Sequence, residues 1–432
     1  MIVKEDLEEA KERMKAWWNH EKTDRPVISY NIFEGVGSDK ALMGSLGLKF
    51  ELAQDWDGID SLLNVYEQYN GGLVYGAECI PSYFINYGPG IMAAVLGVTP
   101  EYKSGTVWFH RQTDLKDIVS VLESAKLNDN NEWYVRLKRT TEIAAKRGAK
   151  GNYAVSMTDL GGILDILVSF IGPQNVIIQM KRNPELIDTC RAIIMEKYLK
   201  VFDELQNIIN NNGVDGCGSW LNVWCPKRYY TMQCDLSVML NPKFFERFVL
   251  PDLKEQSESL DYALYHLDGP EQIKFLDDIL PLVDGIQYVP GTKPGVPKDG
   301  EDKWLPLYKK IQNAGKNNIL MLLDQRDVAP FYKKIDPKGF FVYCVFLNRD
   351  QAECYLPEFV GGNGGQTVND AITWVKGNNI IKINKAKMRQ FLDENNLILN
   401  KKYESFLFKE VKRNISGKEI VIRAEDFLRE SK

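Results

Sequence analysis

Residues 4–20 are rich in charge, yet Leu7, Ala10, Met14 and the pair Trp17-Trp18 recur at helical spacing, which predicts an amphipathic helix ahead of Asp24-Arg25-Pro26. A solid apolar run over 27–32 follows, and it suits a strand buried on both faces. Seven more short runs carry the same signature, at 72–75, 153–157, 215–221, 263–267, 285–289, 319–323 and 340–346. Between them the helical period is clearest over 132–147, 184–211, 242–260, 271–280 and 305–314. Eight strands interleaved with helices predict an α/β fold of the (β/α)8 TIM-barrel type, because an open doubly wound sheet usually stops at five or six strands. The barrel, with its leading helix, is expected to span 1–376. Beyond it the chain turns Lys- and Asn-rich and leaves the barrel period, which makes 377–432 a short C-terminal appendage.

Two stretches interrupt this alternation and are read as loop insertions roofing the barrel mouth. One runs from Ile80 through Tyr87-Gly88-Pro89-Gly90 to Thr106-Val107-Trp108-Phe109-His110; the other runs from Trp224 to Asp235. Aromatic residues in segments broken by Gly and Pro line ligand pockets more readily than they fill helix-packed cores. Trp108, Trp220, Trp224 and Tyr229 are therefore the expected aromatic pocket, with Gln233 and Gln287 orienting polar groups.

Composition narrows the functional classes. A formal net charge of −5 with no concentrated basic stretch argues against a nucleic-acid partner. No window supplies the roughly 18 uninterrupted apolar residues of a membrane-spanning helix. The charged N-terminus lacks the pattern of a secretory signal, and the seven cysteines form no CxxC pair, so a cytoplasmic protein with reduced thiols is expected.

In a barrel of this kind chemistry sits at the C-terminal ends of the strands. The polar residues expected there are Glu78, Thr158-Asp159, Asn222, His266 and Asp268, Gln287, Asp324 and Arg326, and Cys344. His266 and Asp268 stand two apart on one strand and so share a face. Together with Cys344 they form a candidate N/O/S ligand set, and zinc tolerates that mixture. Cys344 lies within Phe340-Phe341-Val342-Tyr343-Cys344-Val345-Phe346, where plain strand packing is the competing reading. Without a metal, Asp159, His266 and Asp268 are the acid/base candidates, with Asp235 and Glu78 behind them.

These residues also carry a family resemblance. Trp17-Trp18 with Asp24-Arg25-Pro26, Tyr87-Gly88-Pro89-Gly90, Thr106-Val107-Trp108-Phe109, Met157-Thr158-Asp159-Leu160-Gly161-Gly162, Gln233-Cys234-Asp235, Tyr265-His266-Leu267-Asp268-Gly269-Pro270 and Gln287-Tyr288-Val289-Pro290-Gly291 resemble the uroporphyrinogen decarboxylase superfamily, within a bacterial branch related to cobalamin-dependent methyltransferases. The resemblance covers roughly residues 15 to 360 and implies a TIM barrel. It also implies either porphyrinogen decarboxylation or methyl transfer with a corrinoid carried by a partner protein. Two departures weigh against the decarboxylases. The arginine-rich segment after their first strand is replaced by Asn31-Ile32-Phe33-Glu34-Gly35-Val36-Gly37, and the region of Cys344 and Asn348 holds no histidine. The zinc methyltransferases of the superfamily use His-x-Cys where this chain has His266-x-Asp268, so one thiolate is exchanged for a carboxylate. The leading expectation is a corrinoid-linked, zinc-dependent methyltransferase acting on a small substrate. A metal-free decarboxylase or lyase and a non-catalytic ligand-binding barrel are the alternatives.

Overall fold

The computed structural model describes residues 4–23, 25–32, 59–103, 106–110, 113–221, 223–291, 295–321, 331, 333–346, 352, 364–380, 383–399 and 401–415. Within them the strands are β1 (Val27–Ile32), β2 (Val74–Ala77), β3 (Ser82–Phe84), β4 (Pro100–Lys103), β5 (Thr106–Phe109), β6 (Ala154–Ser156), β7 (Tyr229–Met232), β8 (Tyr262–Asp268), β9 (Gly285–Val289), β10 (Asn317–Met321) and β11 (Phe340–Phe346). Seven of these make one sheet in the order β2-β1-β11-β10-β9-β8-β7. Every neighbouring pair in it is parallel except β2, which runs antiparallel to β1. A parallel pair β3-β6 and an antiparallel hairpin β4-β5 complete the set. The architecture is therefore mixed α/β around a parallel-rich sheet. Among the described residues no continuous ladder joins the two ends of that sheet to β3-β6.

Two differences from the sequence pattern explain the gap. Residues 215–221 form no ladder of their own. Gly218 makes a single parallel bridge to Ser156, and Cys217 pairs antiparallel with Cys225. Gly216 takes a left-handed φ of 74°, and Gly218 is pressed onto Ser156, where a Cβ would come within 2.0 Å of the hydroxyl. These close approaches turn the chain back on itself instead of letting it run on as a strand. The strand beside β8 is β7, a fully buried Tyr-Tyr-Thr-Met stretch that sits inside the supposed loop insertion.

Burial on both faces of the sheet gives two apolar layers. Along β11, Phe340, Val342 and Cys344 join the main core, while Phe341 and Tyr343 face a second cluster. That second cluster is sealed by the N-terminal helix Leu7–Trp18, whose Met14, Trp17 and Trp18 pack with Val27, Leu264, Ile319, Trp224 and Tyr229. The Trp18 ring lies 4.8 Å from Trp17 and 5.1 Å from Tyr229. Val27 and Tyr229 open their strands, so this aromatic plug closes the N-terminal ends.

The helices Gly364–Gly377, Lys385–Glu394 and Lys401–Ile415 pack on one another, with Trp374 against Phe391 at 5.7 Å, and their apolar residues join the main core. Among the described residues, no single helix is long and apolar enough to cross a membrane.

Candidate functional site

At the opposite, C-terminal ends of the strands the polar groups converge. His266 and Asp268 lie on β8 and project together, as their spacing requires. Asp235, three residues after β7, completes a group in which one donor atom from each residue lies within 4.8 Å of the others. Each member is steered by a buried neighbour. His266 Nδ1 is hydrogen-bonded to Gln287 Oε1 on the adjacent β9; with the amide oxygen accepting, the ring proton sits on Nδ1 and the Nε2 lone pair stays free. Trp220 meets the imidazole edge to face at 5.2 Å and anchors its own indole N–H on the Thr231 carbonyl. Fully buried Gln272 spans two segments, accepting from the Asp268 N–H and donating to the Cys234 carbonyl, each at 3.2 Å.

Asp235 is open to solvent at the surface yet stands among crowding walls. That loss of hydration raises its pKa; His266 opposes the rise and Asp268 adds to it. Its backbone is gripped from the β6 side. Asp165, in the first turn of helix Ile163–Ile171, accepts the N–H groups of Asp235 and Leu236 at 2.9 and 2.8 Å. Burial, reinforced by the nearby Asp235, holds the Asp165 carboxyl well above its ordinary range. Asp159 lies beside this grip. Its Oδ1 accepts from the Gly161 N–H at 2.8 Å and from Gln233 Nε2 at 3.1 Å. Burial is the main cause of an Asp159 pKa pushed up to about 7, with Asp235 contributing, so near neutrality this carboxyl exchanges a proton readily.

Several residues expected in the pocket lie elsewhere. Trp224 and Tyr229 are buried in the plug at the N-terminal ends: the Trp224 indole donates to the Asp215 carbonyl, and the Tyr229 hydroxyl accepts from the Ser219 N–H. Trp108 is exposed on the β4-β5 hairpin, stacked on His110 at 5.7 Å. Cys344 does not join His266 and Asp268, because strand alternation turns it into the main core. There it is fully buried with its thiol pKa raised, chiefly by lost hydration. Glu78 also leaves the list. It follows the one antiparallel strand of the sheet, which carries it to the N-terminal ends, where Arg25 grips it bidentately at 2.7 and 2.8 Å and Arg13 lies 3.0 Å away. Asn222, Asp324, Arg326 and Asn348 lie outside the described residues. The sequence pattern singled out neither Gln272 nor Asp165, and an acid in the first turn of a helix is too common to mark a site.

No family model matches the chain, and none of the curated proteins matches it. Among solved structures the chain is similar to a methyltransferase from Methanosarcina mazei, with a TM-score of 0.51 at 10% identity. The likeness covers 81% of this chain and 98% of that one, and at this identity it establishes a shared fold.

Proposed function

We propose that this chain is a methyltransferase of the uroporphyrinogen decarboxylase superfamily, in which His266 and Asp268 hold a zinc ion and a corrinoid protein supplies or receives the methyl group. The observation that carries the reading is the convergence of His266, Asp268 and Asp235 at the C-terminal strand ends. The donor set fits a divalent cation of intermediate hardness, since it offers one imidazole nitrogen and carboxylate oxygens. When bound, such an ion supplies Lewis acidity that lowers the pKa of a coordinated thiol or water. Trp220 walls the site on one side, and Asp159 holds or releases a proton beside it. The shared fold with a methyltransferase supports the class of enzyme. The same reading takes the six parallel strands of the large sheet and the β3-β6 pair as two arcs of one (β/α)8 wall, with the isolated bridge from Ser156 to Gly218 on the far side of β6. The cysteines among the described residues, buried and free of disulfides, suit the reducing cytoplasm in which we place the enzyme.

The test is metal analysis of the purified protein with and without His266→Ala, followed by demethylation of methylcobalamin with small thiols as acceptors. Zinc in the wild type, lost in the variant, together with turnover, is the expected result; a wild type free of metal removes the mechanism. A metal-free lyase is the second reading, and the proton-bearing Asp159 favours it. It expects activity that survives chelators and disappears in Asp159→Asn.

A further inference from the structure

We infer that Asp235 is the third protein ligand of this site, making it a thiolate-free set of one imidazole and two carboxylates for a divalent cation, and that Asp165 is the residue that positions it. The inference rests on the metal-holding reading above and specifies its ligands.

Three observations carry it. First, the donor atoms are unclaimed. Among the described residues neither the Asp235 nor the Asp268 carboxylate has a hydrogen bond or ion pair, and His266 uses only Nδ1. Carboxylates with structural roles in this chain look different: Asp252 is clasped by Arg191 at 2.6 and 2.9 Å, and Asp299 takes the Tyr308 hydroxyl and the Gly300 and Met321 N–H groups. Two carboxylates brought within 4.8 Å of each other, with the His266 imidazole beside them and no Lys or Arg paired to either among the described residues, form a concentration of negative charge that a divalent cation would offset. Second, among the described residues no cysteine joins the group. Cys344 and Cys234, the cysteines nearest in sequence to the strand ends concerned, are 0% and 3% exposed and both belong to the main apolar core. Among the described residues the group thus has no soft ligand, and nitrogen and oxygen donors suit zinc, cobalt(II), manganese or iron(II).

Third, Asp235 is held in place as a ligand needs to be. It opens the short 3-10 turn Asp235–Met239, and the two Asp165 oxygens take the first two N–H groups of that turn. Gly162 makes room for the latch: a Cβ there would fall 2.3 Å from Asp165 Oδ2 and 2.5 Å from the Gln233 carbonyl oxygen. Asp165 fixes where Asp235 aims without touching the ion itself.

The experiment is calorimetric titration of the full chain with cobalt(II), read together with the visible and near-ultraviolet spectrum, for wild type, Asp235→Asn, Asp165→Asn and Cys344→Ser. The expected wild type binds one cobalt(II) with weak visible bands and no intense sulfur-to-metal charge-transfer band. Asp165→Asn weakens binding by the about 10–100-fold typical of an outer-shell residue. Asp235→Asn weakens it further, and Cys344→Ser leaves it unchanged. Asp235 is exposed, so that variant keeps the fold, and metal-free melting curves verify the others. An intense charge-transfer band, or wild-type affinity in Asp235→Asn, overturns the ligand set while the metal-holding reading stands. Wild-type affinity in Asp165→Asn removes the positioning role alone. A wild type that binds no cobalt or zinc ends both the inference and the metal-holding reading.

Discussion

The two ends of the sheet use the same residue types for opposite purposes. At the N-terminal ends the carboxylate and two of the plug's three indoles are partnered: Glu78 sits between Arg13 and Arg25 and takes the Ile28 N–H, Trp18 donates to the Trp224 carbonyl, and Trp224 donates to that of Asp215. At the C-terminal ends Asp235, Asp268 and His266 present unclaimed donor atoms, and Asp159 and Asp165 carry raised pKa values. The difference teaches what separates a structural carboxylate from a site carboxylate here. One has its charge cancelled by guanidinium groups and backbone donors; the other is kept in a crowded place with its charge unmet. Only an arrangement that gains something else by it keeps such a cost.

The comparison predicts that substitutions at the plug cost stability and substitutions at the mouth cost function. Largest is Glu78→Ala, which strands two arginines and a buried N–H and is expected to lower stability by about 3–5 kcal/mol in urea unfolding. A loss below about 1 kcal/mol would show that the lock is solvated and would blur the contrast. Next, Trp224→Ala empties part of the plug and is expected to cost about 3–5 kcal/mol, with the cobalt affinity of the folded fraction unchanged. Reduced affinity at unchanged stability would return Trp224 to the pocket.

Asp159→Asn sharpens the comparison through pH. The folded pKa of about 7 lies above the unfolded value of about 3.9, so the folded state binds the proton more tightly. Wild-type stability from this group is fully present below about pH 4 and falls until the pH passes 7. The variant lacks that decline. Melting temperatures taken from pH 4 to 8 are expected to show Asp159→Asn gaining on the wild type across the window and holding its lead above it. Parallel curves would mean that Asp159 is ionised throughout. Smallest in stability is His266→Ala, a half-buried ring whose loss is expected to change unfolding by no more than about 1 kcal/mol while abolishing metal uptake.

Much of the frame was legible because burial on both faces leaves a plain signal. The runs at 27–32, 285–289 and 340–346 are strands to the residue, and the period over 184–211 gives a single long helix. The pair His266 and Asp268 was legible too, since residues two apart on a strand share a face by local geometry alone. Trp224 and Tyr229 were not, because an aromatic beside Gly and Pro reads the same whether it lines a mouth or plugs the far end. Glu78 was misplaced by strand direction, which depends on a partner strand and leaves no mark in the run itself. Cys344 turned on register, where one residue decides between the core and the opposite face.

By itself, then, the sequence determined the elements whose stability is local or whose hydrophobic pattern is strong, together with the one pair of groups joined by strand periodicity. Tertiary structure alone decided which end each loop serves, which carboxylates are neutralised and which are left unmet. It alone brought Asp235 and its Asp165 latch from two other strand ends to His266. Distances between strand ends come from packing across the sheet, and no spacing along the chain encodes them.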